Sequence, residues 1–199
     1  MFRRLRSQEP AVYATREDFC RIFQKDMNRL YRLSFLLTAD RSMAEQCFVD
    51  GLHMCREGDP VFKEWAESWA RRTIIMNAIR MMRPRPTDDR MSAAQGCTIG
   101  DQLTEVPEIA AIVELPVFER FAFVMSVLEG YSDNECSRHL SCTRGDVVAA
   151  RTRAMRRLAR SVERLKLFIV GSGQETQRAE SKTGLHLSLQ QLPPSALQH

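Results

Sequence analysis

The sequence predicts an all-α protein of two small helical domains joined by an acidic linker, with a polar tail behind them. Three observations carry this. Apolar residues recur every three or four positions along most of the chain and nowhere alternate with period two over a useful length. Breakers fall between these runs, at Gly58-Asp59-Pro60, at Pro84 and Pro86, and at Gly130. Charge is segregated: Thr87 to Glu114 holds six acids and one base, Arg90, whereas Arg144 to Lys166 holds eight bases and two acids.

Residues 1–14 read as an N-terminal arm. Its start, Met1-Phe2-Arg3-Arg4-Leu5-Arg6, is basic and lacks the apolar stretch of a secretory signal. Residues 15–86 read as a bundle of three or four helices. Thr15, with Asp18 three positions on, caps a helix that carries Phe19, Ile22, Phe23, Met27, Leu30, Leu33 and Leu37 and runs to about Leu37. Asp40 caps a second, with Met43, Cys47, Phe48 and Leu52 on one face. A third runs from Phe62 to Met82, with Trp65, Trp69, Ile75, Met76, Ile79 and Met82 inward and Arg71, Arg72, Arg80 and Arg83 on its other side. Residues 87–113 form the acidic linker, with a helical turn near Glu108 to Val113. Residues 114–170 form the second domain, opened by Pro116 in a helix first turn, with Phe118, Phe121, Met125 and Leu128 as its first core stripe. Residues 171–199 are Gly-, Ser- and Gln-rich and read as a flexible tail.

The second domain contains helix, tight turn, helix. Ser132 with Glu135 is a capping box, and Thr143 with Asp146 repeats the spacing. Between them only Leu140 to Cys142 is left for the turn, as a DNA-binding helix-turn-helix requires. The helix after Thr143 has an apolar stripe of Val147, Ala150, Ala154, Leu158, Val162 and Leu165, with arginine over much of the rest. Such a helix suits phosphate oxygens, because each neutralised phosphate releases condensed counterions.

The composition narrows the remaining function classes. With 29 basic and 25 acidic residues among 199, the net charge of +4 says little; its distribution says more. No apolar run is long enough to span a bilayer. Six scattered cysteines, most of them on apolar helix faces, fit a reduced, cytoplasmic protein. Cys136, His139 and Cys142, with Cys97, have a loose ligand spacing, but no Cys-x-x-Cys pair exists and no metal is expected. No nucleophile–base set, phosphate loop or carboxylate pair stands out, so neither an enzyme nor a cofactor is expected.

The chain resembles the extracytoplasmic-function sigma factors of the sigma-70 family. Leu115-Pro116, Glu129-Gly130-Tyr131-Ser132, Glu135, Leu140, Cys142, Gly145, Val147, Arg153, Ala154, Arg156, Arg157 and Leu158 match the family's region four. Leu30 to Asp40, Ala44-Glu45 to Asp50, and Trp69 to Arg83 with Ile74-Ile75-Met76-Asn77 are similar to its region two. The resemblance implies core RNA polymerase and promoter DNA as partners, and leaves room for an anti-sigma factor. It places Glu45 and Asp50 on the polymerase clamp. Arg71, Arg72, Asn77, Arg80 and Arg83 fall on melted minus-ten DNA, and Arg144, Arg151, Arg153, Arg156 and Arg157 on minus-35 DNA. Arg144 is the expected base reader, the other four the phosphate holders. The chain departs from the family at Val148-Ala149-Ala150-Arg151, where Lys-Ser-Arg-Leu is usual, and at Phe48, Val49 and Gly51 in the clamp segment. A helix-turn-helix regulator and a sigma-like decoy that does not initiate transcription are the alternatives.

Overall fold

In the computed structural model, which describes residues 12–87 and 106–161, the chain is helical apart from turns and one antiparallel bridge between Tyr13 and Phe62. The arm before Val12, most of the acidic linker, and the tail lie outside the described residues.

Helix α1 (Arg16–Lys25) opens on the expected box: the Asp18 amide donates to Thr15 Oγ1 at 3.2 Å and the Thr15 amide to Asp18 Oδ2 at 3.1 Å. The single helix expected up to Leu37 is in fact two. Asp26, a poor helix-interior residue, takes φ −104° and ψ 21°, ending α1 and starting α2 (Met27–Thr38). This turn leaves Met27 exposed rather than on the stripe. Helix α2 is the centre of the fold, with every residue from Leu33 to Thr38 buried. Its two buried hydroxyls are satisfied within the helix, Ser34 donating to the Leu30 carbonyl and Thr38 to that of Ser34.

Helix α3 (Arg41–Glu57) is capped by Asp40, whose Oδ1 accepts the Met43 amide at 2.8 Å. Its buried stripe is Ala44, Cys47, Gly51 and Cys55, with Phe48 and Leu52 only part-buried beside it. These small residues let helix α4 (Ala66–Met82) approach closely. A Cβ on Gly51 would stand 2.6 Å from Ile74 Cδ1. The inward face of α4 is mostly small: Ala66, Ala70, Thr73, Ile74, Ile75, Asn77 and Ala78 are buried. Ile75 lies inward as expected, but the two tryptophans do not. Trp65 is 57% exposed and Trp69 37%, because an interface this tight has no room for indoles.

Helix α5 (Pro107–Val113) forms where a helical turn was expected near Glu108 to Val113, and α6 (Val117–Phe123) follows Pro116. All seven residues of α6 are buried, including Glu119 and Arg120. A π-helical turn, Val124–Leu128, comes next, and Gly130 at φ +72° closes it, a conformation glycine adopts without strain. The widened turn rotates Leu128 off the stripe of Phe118, Phe121 and Met125 and leaves it exposed, against the expectation. Helix α7 (Asp133–Leu140) and helix α8 (residues 144–161) complete the described residues.

The two halves meet at Arg120. Its guanidinium, fully buried, donates to the Leu37 carbonyl from Nε and Nη2 at 3.2 Å, and from Nη1 to the carbonyls of Val113 at 2.9 Å and Leu115 at 3.2 Å. Leu37 and Val113 lie in the last turns of α2 and α5, where carbonyls have no partner in their own helix and the dipole favours a cation. Burial lowers the Arg120 pKa to about 10, which still leaves it protonated at neutral pH.

Replacing Arg120 by Met keeps the volume and strands three carbonyls. At about 1–3 kcal/mol for each unsatisfied buried group, urea unfolding should show a loss of at least roughly 3 kcal/mol. Arg120→Lys should recover part of it.

The capping carboxylates make the fold acid-sensitive. Asp18 is held below its ordinary 3.8, chiefly by the Thr15 backbone amide. Glu135 is held below 4.5 and Asp146 below 3.8, chiefly by the hydroxyls of Ser132 and Thr143 and then by those residues' amides. A carboxylate with a lowered folded pKa contributes fully above its unfolded value and loses that contribution as pH falls through the folded one. The advantage of the wild type over an Asp18→Asn, Glu135→Gln, Asp146→Asn variant should therefore be constant above about pH 5 and shrink below it. Thermal melting at stepped pH measures this.

Candidate nucleic-acid interface

The helix-turn-helix is assembled by local chemistry before packing acts on it. The Glu135 amide donates to Ser132 Oγ at 3.3 Å and the Ser132 amide to Glu135 Oε2 at 2.9 Å, which starts α7. Ser141 in the left-handed conformation (φ 52°) ends it, with the Ser141 and Cys142 amides both donating to the Ser137 carbonyl. Thr143 and Asp146 repeat the reciprocal pair at 3.1 and 3.0 Å and start α8. Cys136, Leu140, Val147, Ala150 and Ala154 form the wedge between α7, α8 and α6. The stripe does close through Ala150, and Arg151 stands at its edge.

The arginines of α8 divide into two sets. Arg151 pairs with Asp133 of α7. Arg153 Nε lies 2.7 Å from Glu119 Oε1, and Arg157 Nε 2.9 Å from Glu119 Oε2. Glu119 is buried in α6, so these two cations compensate a carboxylate removed from water and tie α8 to α6. Arg144 is different: its side chain is 69% exposed, and Asp133 is 4.0 Å away. Arg156 is also exposed, and so are Val148, Ala149 and Thr152 on the side of α8 away from the core.

A second face runs along α4. Tyr13 stacks on Phe62 at 4.9 Å, and Phe62 meets Trp65 edge-on at 5.2 Å, all three exposed. One turn beyond Trp65, the Arg72 guanidinium sits 5.8 Å over the ring of Trp69. Arg71 Nε is 3.6 Å from Glu129 Oε2, so the π-turn segment reaches an arginine of this face. Arg72 acts electrostatically on Tyr131 and His139; His139 is lowered first by burial and then by that cation. Arg80 and Arg83 are exposed. Asn77 is buried: its Oδ1 accepts from Arg80 Nη2 at 3.0 Å and its Nδ2 has no hydrogen-bond partner. Asn77 thus positions Arg80 rather than lying at the surface.

Glu45 and Asp50 lie on α3 away from its buried stripe. Glu45 is exposed and holds Arg41 at 3.3 Å; Asp50, half-buried, accepts from Gln46 at 2.7 Å. Between them in sequence, Val49 is exposed. Among the described residues no group of three or more His, Cys, Asp or Glu is placed to hold a metal ion, and burial pushes the Cys136 thiol up to about 11. No described helix is long and apolar enough to cross a membrane.

Glu119 and Arg120 were not among the residues singled out from the sequence. The one available signal was an acid and a base interrupting the apolar run Val117 to Phe123. Glu119 pairs with Arg153, 34 residues away, and Arg120 reaches Leu37, 83 residues away, both beyond any local pattern.

No protein-family model matches the chain. Among curated proteins it is similar to the ECF RNA polymerase sigma factor SigM of Mycobacterium tuberculosis, strains H37Rv and Erdman. The identity is 25% over 155 residues, covering 75% of this chain and 79% of the relative. The similarity spans most of both chains and agrees with the helical architecture and with the doubly capped helix-turn-helix. Over that span the chain is similar to an extracytoplasmic-function RNA polymerase sigma factor.

Proposed function

We propose that this protein is a sigma factor: it binds core RNA polymerase, directs it to promoters and makes no covalent chemistry of its own. The observation that carries the proposal is the presence in one chain of two exposed faces of different character, one basic on α8 and one aromatic with arginines beside α4. The outward side of α8, led by Arg144, suits the major groove of duplex DNA, here the minus-35 element. The exposed aromatics Phe62, Trp65 and Trp69, beside Arg72, Arg80 and Arg83, suit unstacked bases and their backbone, here the melted minus-ten element. A regulator using only the helix-turn-helix has no use for the second face. Glu45 and Asp50, on the solvent side of α3, are the proposed polymerase contacts, and an anti-sigma factor would compete for these surfaces.

Within α8 the assigned roles separate by geometry. Arg144 reads a base edge and Arg156 holds phosphate. Arg151, Arg153 and Arg157 have acidic partners inside the protein, and so contribute to the position of the helix as well as to its field.

The test is run-off transcription with core polymerase on a promoter library. Transcripts from a defined start site are expected; binding without transcripts would leave the regulator or the decoy. Arg144→Ala should weaken duplex binding by about 1–3 kcal/mol in a sequence-dependent way, and Arg156→Ala about equally on all sequences with a shallower salt slope. Titrations of cognate and random duplexes at several salt concentrations separate the two.

Because Glu129 holds Arg71, neutralising it should free that cation. Glu129→Gln is expected to bind single-stranded DNA several-fold more tightly at low salt, with unchanged duplex affinity, in fluorescence anisotropy. An unchanged single-strand affinity would remove Arg71 from the strand path.

A further inference from the structure

We infer that α8 reads its duplex largely through methyl groups, Val148 and Thr152 being set against the 5-methyl groups of thymines, with Arg144 as the hydrogen-bonding reader beside them. This rests on the sigma-factor reading above and names the kind of site that face would select. The burial pattern defines the face: Val147, Ala150 and Ala154 are inside, so at 3.6 residues per turn Val148, Ala149 and Thr152 lie on the outer side.

Three features make this face a methyl reader. Val148, 38% exposed, and Met155, two turns along the same side, are large apolar side chains left in solvent on an arginine-rich helix. Thr152 Oγ1 donates to the Val148 carbonyl at 2.8 Å, so its hydroxyl is engaged within the helix and its methyl is the group left for a ligand. The neighbouring arginines that could supply hydrogen bonds instead are held elsewhere, Arg151 on Asp133 and Arg153 on Glu119.

Gly145 adds no bulk between Arg144 and Val148, so the start of the helix can approach a groove floor. Exposed cations at Arg144 and Arg156 bracket the apolar patch, which fits a polyanion better than an apolar protein surface. In the major groove the only apolar group on any base edge is the 5-methyl of thymine. A helix offering methyls between two arginines therefore selects thymine-containing steps beside a guanine.

The full-length chain is used to select duplexes from a randomised pool, and the winning duplex is resynthesised with deoxyuridine for thymidine one position at a time. That exchange removes the methyl and leaves base pairing intact. Each contacted methyl should be worth about fourfold in affinity for the wild type. Val148→Ser or Thr152→Ser should abolish the difference at its own position; both residues are exposed, and circular dichroism checks their folding. Equal wild-type affinity for both bases overturns the inference, as does a deoxyuridine loss undiminished in both variants. Salt-dependent binding with no sequence enriched also overturns it and leaves the sigma-factor reading standing. Failure to bind any duplex, together with absence of run-off transcripts, defeats that reading as well.

Discussion

The structure depends on a cation with no water around it. Arg120 sits at the meeting point of α2, α5 and the turn into α6, and its planar fork answers carbonyls from all three. A guanidinium suits that place because its donors diverge in a fixed plane and it stays charged despite desolvation. The carbonyls in turn need it, since helix ends buried without donors are costly. The contact also joins residues of the first half of the chain to residues of the second, so the halves are held together by a group that either half alone would leave unsatisfied.

Glu119 is the neighbour of Arg120, and adjacent residues on a helix project about 100° apart. One therefore faces α2 and α5 while the other faces α8. Through this pair α6 becomes the piece that sets where α8 lies. Arg153 and Arg157 reach back to Glu119, and Arg151 to Asp133. A helix that looks uniformly basic in sequence is thus partly neutralised from behind. The same residue type does two jobs: some arginines fix the helix in place, and Arg144 and Arg156 present charge outward.

Close packing sets the other face. The α3–α4 interface is built of alanine, cysteine and glycine, with Ile74 filling the space a Gly51 side chain would need. Tight helix contact of this kind moves large residues to the rim, and Trp65 and Trp69 go there. Their fourfold spacing was correctly a helical stripe, but periodicity does not say which stripe of a two-faced helix is buried. Helix α4 has an apolar face on both sides, a small one inward and an aromatic one outward. Only the partner helix, with its own small residues, decides between them.

What the sequence determined by itself was much of the local structure: the all-helical class, the capping boxes at Thr15, Ser132 and Thr143, the stop at Gly130, and the turn between α7 and α8. These depend on groups three to five residues apart, and the chain carries them wherever it folds. What tertiary structure alone decided was the partnership of charges and the choice of buried face. Arg120 with Leu37, Arg153 with Glu119, Arg71 with Glu129 and the outward tryptophans join residues far apart in the chain, or depend on the shape of a neighbour. Side chains so placed are chosen by desolvation and fit, which act only once the helices are already together.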